Sequence, residues 1–483
     1  MNKIIALLLV LTMVFALAAC AKSPAQTTPA DETPADTTGD TAQSDAQTPA
    51  DETPAAPATS DDPNAWIIGD TSLSGTVRFW IPFKGDQGMD DLIADFNKVY
   101  PNITVELTTF NNNADGNLSV NTAIMNGEVD VLGSFGLQYA QLRWANGLYE
   151  DLTDRIQAEN IDLVANWGTD AYNYEGRYYT IPAGGLSYYI CINMDAWKAA
   201  GYDELPTEWT WDEYLEACQK MTTTNADGET VYGGSDTHSI ETFTLAKYQV
   251  TGQDQFYDES TGLSSFGMDV VRNALAREVK AELEDKIWFP CATYRSNDLQ
   301  GQNTFPAGLC NSIITQNMAR FLRDTENYGM DSLVGFAPYP VEEKGQTNYM
   351  SGVGVFSHYG IATGCQDEDA AWAFLKWMTT YGSKYLAVAG HQSCWTGTDS
   401  AELVSLIFGS EEEAAKIIDV ESFKRCVGNS SNPGYIDTIT TANSDVVKIL
   451  KSYALSALNG EISVEEAMTA AQAEADAAIK DAQ

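Results

Sequence analysis

Three patterns of apolar and polar positions follow one another along the 483-residue chain. An apolar run over residues 4–15, interrupted only by Thr12, comes first, behind a single charge at Lys3. From residue 21 to 63 the pattern vanishes, with no aromatic or large aliphatic side chain in the stretch. From Gly75 onward it becomes periodic. Residues 76–81 alternate and predict a strand, and Met89, Leu92, Ile93, Phe96, Val99 and Tyr100 then share one helical face that Pro101 stops. Residues 103–107 alternate again, a second helix is predicted over 117–126 with Gly127 ending it, and 129–132 reads as a third strand. Strands and helices alternating at this pace predict a parallel sheet with crossover helices. Ligands on such sheets sit beyond the carboxyl ends of the strands. Those ends are residues 80–84 and 133–135.

The first pattern has a chemical reading. A short charged start, an apolar stretch and the small residues of Leu17-Ala18-Ala19-Cys20 describe a secretory signal. Cys20 directly after Leu-Ala-Ala resembles the bacterial lipobox, in which the cysteine thiol takes a diacylglycerol before cleavage. Residues 1–20 are therefore expected to be a lipoprotein signal and Cys20 the lipidation site, the alternative being an ordinary cleaved signal. A transmembrane helix is disfavoured because the run falls short of the ~20 residues a span needs.

Residues 21–66 are expected to be a disordered tether, built mainly of Ala, Thr, Pro, Asp, Gln and Ser. Its octet Thr-Pro-Ala-Asp-Glu-Thr-Pro-Ala starts at Thr28 and again at Thr48. Such a stretch buries too little apolar surface to offset its chain entropy. Fully extended as polyproline II, residues 21–63 would reach roughly 130 Å at ~3.1 Å per residue. A spacer of that length suits a domain standing off a membrane through a cell wall, so the expected location is the extracellular face of a Gram-positive cell membrane.

About 420 residues remain, more than one core normally serves, so two lobes are expected. The charge is extreme, 27 Lys and Arg against 68 Asp and Glu for a net −41, and such a surface repels nucleic acid and anionic headgroups. Seven cysteines follow Cys20, an odd number with no C-x-x-C pair, which reads as small buried apolar residues and leaves disulfide pairing open.

Beyond Gly75 the chain resembles the family 1 extracellular solute-binding proteins, the capture subunits of carbohydrate ABC importers. The resemblance rests on pieces arriving in the family's order. These are the strand ending in Trp80, Phe96-Asn-Lys-Val-Tyr-Pro101, Asn126-Gly-Glu-Val-Asp-Val131 (with Val129 where proline is usual) and Gly176-Arg-Tyr-Tyr-Thr-Ile-Pro182. Ser187-Tyr-Tyr-Ile-Cys-Ile-Asn-Met-Asp-Ala-Trp197 follows, then Pro206 to Trp211-Asp-Glu213, Gly335-Phe-Ala-Pro-Tyr-Pro340, Ala370-Ala-Trp-Ala-Phe-Leu375 and Ser463-Val-Glu-Glu-Ala467. In plain chemistry, Thr210 caps a helix and Glu213 closes a capping box.

The resemblance implies an α/β, periplasmic-binding-protein-like fold, with two discontinuous lobes joined by a three-crossing hinge and a ligand cleft between them. Residues 67–184 plus 338–392 would form lobe 1 and 185–337 plus 393–483 lobe 2. It further implies a monomer that closes on a sugar and delivers it to ABC permease subunits, with no cofactor. The cleft residues expected from matching are Trp80, Phe83 and Lys84 after the first strand, Ser134 and Phe135 after the third, and Tyr188 and Tyr189 by the first crossing. Gln316 and Asn317 follow a strand over 312–315, Gly352 permits close backbone approach, and Trp395 lies at the third crossing near His391. Aromatic rings would cover sugar faces, while amides and charged groups meet the hydroxyls. Removing the Phe135 or Trp395 ring is expected to weaken binding and leave the unliganded fold intact. Trp209, Trp211, Trp372 and Trp377 are assigned to the core on helical spacing.

No H-E-x-x-H, G-x-S-x-G or Walker-type loop occurs, and three scattered histidines (His238, His358, His391) give no metal-ligand spacing. Asn225-Ala-Asp-Gly-Glu229 reads as a polar turn rather than a calcium loop. The remaining alternatives are an exported two-carboxylate glycan hydrolase and a binding protein for a peptide.

Overall fold

A computed structural model describes residues 64–237, 241–346, 354–427 and 440–483, all within one compact unit, Ser60–Gln483. Cys20, the tether up to residue 63, His238 and Gly352 lie outside the described residues. Among the described residues no helix is long and apolar enough to cross a membrane.

Among the described residues, nine strands build the two larger sheets. They are β1 (Gly75–Ile81), β2 (Ile103–Thr109), β3 (Val131–Phe135), β4 (Ile181–Leu186), β5 (Tyr189–Asn193), β6 (Ser312–Thr315), β7 (Val334–Pro338), β8 (Gly354–Ile361) and β9 (Gln392–Ser393). The larger sheet runs β9–β4–β8–β3–β1–β2, and the smaller β6–β5–β7. β1 pairs in parallel with β2 and β3, as the strand–helix alternation predicts, whereas β8 joins β3 and β4 antiparallel.

Alternation explains β1. Val77, Phe79 and Ile81 are fully buried on one face, where the helix Met89–Val99 lays Met89, Leu92 and Phe96 and the helix Glu368–Thr379 lays Phe374. Trp80 points to the opposite face and packs against a second cluster around Leu132 and Tyr149. The Met89–Val99 helix starts at Gly88 (φ 93°), where a side chain would strike the Tyr385 carbonyl at 2.4 Å.

Two expected boundaries shift, each for a local reason. The second helix is Ala114–Met125, three residues early, because the Asn113 side chain accepts the Gly116 N–H and caps it there. The third strand is Val131–Phe135 rather than 129–132. Asp130 stands just before it, clamped by Arg78 through the backbone N–H (2.8 Å), Nε (2.8 Å) and Nη2 (2.5 Å). Ser134 and Phe135 are thus inside the strand, not after it, and its twofold alternation sends them to opposite faces.

The smaller sheet also alternates. Tyr189 and Cys191 face a cluster with Phe336 and Phe423, while Ile190 and Ile192 face one with Trp209, Trp211 and Tyr214. The helix Trp211–Met221 carries the expected Thr210–Glu213 capping box, and Trp209, Trp211, Trp372 and Trp377 are all buried. A third layer packs Asp269–Val279 against Asn443–Leu458 and Val464–Asp481. Asn225–Glu229 is a turn between two short strands, and among the described residues no cluster of metal-ligating groups occurs.

The two α/β lobes are discontinuous. The chain first passes between them at Ser187–Tyr188, just beyond the expected Gly184, since β4 extends to Leu186. The second passage comes later than the expected 337–340. Val341 exchanges backbone hydrogen bonds with Trp209 and Trp211, and Arg277 pairs with Glu342 at 2.9 Å, so the chain stays with the smaller sheet's lobe through Gln346. At the third passage, Trp395 still belongs to the larger sheet's core, stacked edge-on with Tyr381 (5.2 Å) and donating from Nε1 to Asn166 (3.1 Å). Leu403 is the first residue past it in the other core, so the boundary lies between them rather than at 393. All seven described cysteines are free thiols and five are buried.

Burial raises the Asp130 carboxyl, but the Arg78 hydrogen bonds outweigh it and hold the group below the usual carboxylate range. A depressed value stabilises above the unfolded pKa of ~3.9 and is lost as pH falls through the folded one. Asp130→Ala should cost about 2–3 kcal/mol in urea unfolding at pH 7, less than a fully buried pair because Arg78 is 26% exposed. The penalty should shrink below pH 4. Phe135 (2% exposed) and Trp395 (6%) are core residues, contrary to the expectation that they can be cut without harm. Phe135→Ala and Trp395→Ala should each lower unfolding free energy by about 3 kcal/mol or more, visible as an earlier thermal transition without ligand.

Candidate functional site

At the carboxyl end of β1 the chain turns through Pro82 and places Phe83 against the end of β3. The Phe83 ring centroid lies 4.9 Å from Phe135 and 5.0 Å from His391, both edge-on, and Phe135 and His391 are 5.3 Å apart. Phe356, from the start of β8, adds a half-buried fourth ring 5.5 Å from His391. Such edge-to-face pairs fix one another's orientation beyond simple burial. Burial, reinforced by the charge of Arg320, drives the His391 imidazole down to about 3, so it is neutral at physiological pH. Its buried Nδ1 has no hydrogen-bond partner.

Next to this cluster the lobes meet at Gly390. Its φ of 89° is left-handed, and a Cβ there would lie 2.9 Å from Arg320 Cδ and 3.0 Å from Asn317 Cβ. Only a glycine satisfies both the backbone and the space. Arg320 Nη1 donates to the Ala389 carbonyl at 3.0 Å, a second contact between the lobes at the same point.

On that lobe, at the carboxyl end of β6, a cavity of about 250 Å³ opens. Its polar lining is Thr237, Gln300, Gln302, Thr315, Gln316, Asn317 and Arg320. Each is a hydroxyl, an amide or a guanidinium, groups that exchange hydrogen bonds with a ligand's hydroxyls. The location matches the rule that α/β ligands sit beyond strand ends, and the volume approaches the ~300 Å³ lower range of small-ligand pockets.

The structure brings together only some of the expected residues. Gln316 and Asn317 line the cavity. Phe83 and Phe135 form the neighbouring ring cluster, and Lys84 is exposed one residue beyond Phe83. Ser134 is not at this surface: it is fully buried, its Oγ bonded to Tyr149 OH and Arg143 Nη1, both at 2.6 Å. Tyr189 is likewise buried, its hydroxyl accepting the Ala319 N–H at 3.5 Å. Its neighbour Tyr188 is half-buried against Tyr339 (5.7 Å). Trp80 serves the back of the larger sheet, and Trp395 is held in the core by Asn166.

Thr237, Gln300, Gln302, Arg320 and Phe356 were not among the expected residues. Arg320 stands three positions after Asn317 at the start of the helix Ala319–Leu322, so extending that reading by one turn finds it. Gln300 and Gln302 flank Gly301 in a polar stretch with no periodicity, and nothing local distinguishes them.

Residues 82–385 match the family model described as bacterial extracellular solute-binding protein. No curated protein matches the chain in sequence. Among solved structures, a sugar transporter from Rhizobium etli in an open conformation is similar at TM-score 0.68 and 14% identity, covering 84% of this chain and 100% of that one. An ABC substrate-binding protein from Listeria monocytogenes in complex with cycloalternan follows at 0.66 and 16%, covering 84% and 100%. The maltose-bound MalE3 of T. maritima is similar at 0.61 and 19%, covering 83% and 98%. At these identities the likeness is one of fold. The family match spans well over half the sequence, in a two-lobed fold with a polar cavity on the smaller sheet's lobe, and the chain belongs to the bacterial extracellular solute-binding proteins.

Proposed function

We propose that the protein captures a mono- or oligosaccharide between its lobes, closes by bending at the three passages, and presents the closed form to the permease of an ABC importer. The observation that carries this reading is the cavity at Gln316 and Asn317. It is polar, lined by amides, hydroxyls and one guanidinium, and it sits beside four aromatic rings at the Gly390 contact. Hydroxyl-rich ligands need such a lining, whereas a peptide needs backbone partners and apolar pockets. Structural neighbours described as a sugar transporter, as bound to cycloalternan and as bound to maltose support the same class.

Gln316 and Asn317 would hold ring hydroxyls, and Phe83 with Phe356 would form the apolar wall. None of the lining groups gains or loses a proton near neutral pH, so the ligand would leave the site unchanged. Export and anchoring complete the proposal. The signal over residues 1–20 would be cleaved, the Cys20 lipid would hold a monomer to the outer face of the membrane, and the acidic tether would set its reach.

Titration of the mature protein with an oligosaccharide panel should give a saturable change in tryptophan fluorescence with no new product by chromatography. Steady release of shorter sugars would convert the reading to a hydrolase. A bound sugar at 100 times its Kd should raise unfolding free energy by ~2.7 kcal/mol. Asn317→Ala should weaken binding about tenfold, or ~1.4 kcal/mol, with little change in unliganded melting. Cys20→Ala should move the protein from the membrane fraction to the medium; full retention on membranes would exclude lipidation at Cys20.

A further inference from the structure

Acidic residues outnumber basic ones 68 to 27. Arg78, Arg155, Arg177, Arg272 and Arg277 each take at least one carboxylate, and the buried Arg143, which takes none, is met on all sides by Ser134, Asn117 and Asn121. Arg320 takes none among the described residues. Its guanidinium carbon stands 4.4 Å from the Phe321 ring centroid and Nη1 reaches the Ala389 carbonyl, but Nε is buried with no acceptor. Among the described residues the neighbouring groups that act on it are Tyr189, Tyr328 and a second cation, Arg323, with no carboxylate.

The cavity it lines repeats the pattern. Among the described residues its walls carry no acidic side chain, although the protein's net charge is −41. The adjacent His391 is neutral and contributes no charge of either sign. A half-buried guanidinium surrounded by amides and hydroxyls is solvated by dipoles but has no counter-ion. Closing the lobes over a neutral ligand would strip its remaining water and leave the charge unmatched. A ligand with its own carboxylate removes that cost, because the planar fork of Arg matches a carboxylate through two parallel hydrogen bonds.

We propose that the ligand is an acidic sugar, a hexuronic acid or an oligosaccharide containing one, with Arg320 as the counter-ion of its carboxylate. This rests on the sugar-capture reading above. Arg320 thereby becomes the residue that separates uronates from the neutral hexoses of the same shape.

The test is calorimetric titration of the mature protein with matched pairs: D-galacturonate and D-galactose, D-glucuronate and D-glucose, digalacturonate and its dimethyl ester. L-lactate serves as a carboxylate without a ring. The acidic member of at least one pair should bind about a hundredfold more tightly than its neutral partner, the scale of a desolvated charge pair. Arg320→Gln should bring the two within about threefold, and Arg320→Lys should keep part of the preference. Because Arg320 also bonds Ala389, unliganded melting of both variants is measured alongside. If Arg320→Gln does not fold, the matched pairs on the unaltered protein decide alone. Equal or tighter binding of the neutral sugars, or lactate binding as well as a uronate, overturns the acidic-sugar proposal and leaves sugar capture standing. Failure of every sugar, acidic and neutral, overturns both.

Discussion

Three hydrogen bonds from Arg78 converge on Asp130, one residue before β3, and the phase of that strand follows from them. A carboxylate held there ties the start of β3 to the middle of β1, so each later residue of the strand has an assigned face. Phe135 falls toward the core that Phe83 and His391 share, and Ser134 toward the buried network of Tyr149 and Arg143. A slip by one residue would exchange them, putting a ring against a guanidinium and a hydroxyl into an aromatic cluster. The ring cluster beside the cavity is therefore a consequence of an ion pair at the other end of the same strand.

Where the cavity sits depends on a second constraint, the close approach at Gly390. There the larger sheet's lobe presents a residue without a side chain to Asn317 and Arg320 of the other lobe, and the backbone approaches them closely. The same two residues line the cavity, so the contact between the lobes and the cavity share side chains.

Much of this was legible in the sequence, and the physical reasons separate what was from what was not. β1 and the helix after it were readable because each buries one face, which imposes a period of two or 3.6 on its residues. The Thr210–Glu213 box was readable because capping chemistry is local. The resemblance drawn from Gly75 to the chain's end is supported by a family match over 82–385, the stretch holding most of the quoted pieces. The end of β3 was missed because its last residues, Gly133, Ser134 and Phe135, lack the β-branched pattern that marks a strand, and the pairing with β8 that extends it comes from more than 200 residues away. Ser134 and Tyr189 were placed at the ligand from position along the chain, yet position does not reveal which way a strand residue points. Arg320 illustrates the opposite case: its identity was plain, but its isolation from carboxylates exists only in three dimensions.

The seven thiols carry a consequence of their own. Burial pushes Cys218, Cys291, Cys365 and Cys394 up to about 12 and Cys426 up to about 11, so almost none exists as the thiolate that oxidants and disulfides attack. That protection belongs to the folded chain alone. An exported polypeptide crosses the membrane unfolded, with every sulfur exposed at its ordinary acidity, and each stays reduced only if collapse of the surrounding core outruns the chemistry outside. Packing thus takes the part that cross-links play in many secreted proteins, and the vulnerable moment is the interval between emergence and burial.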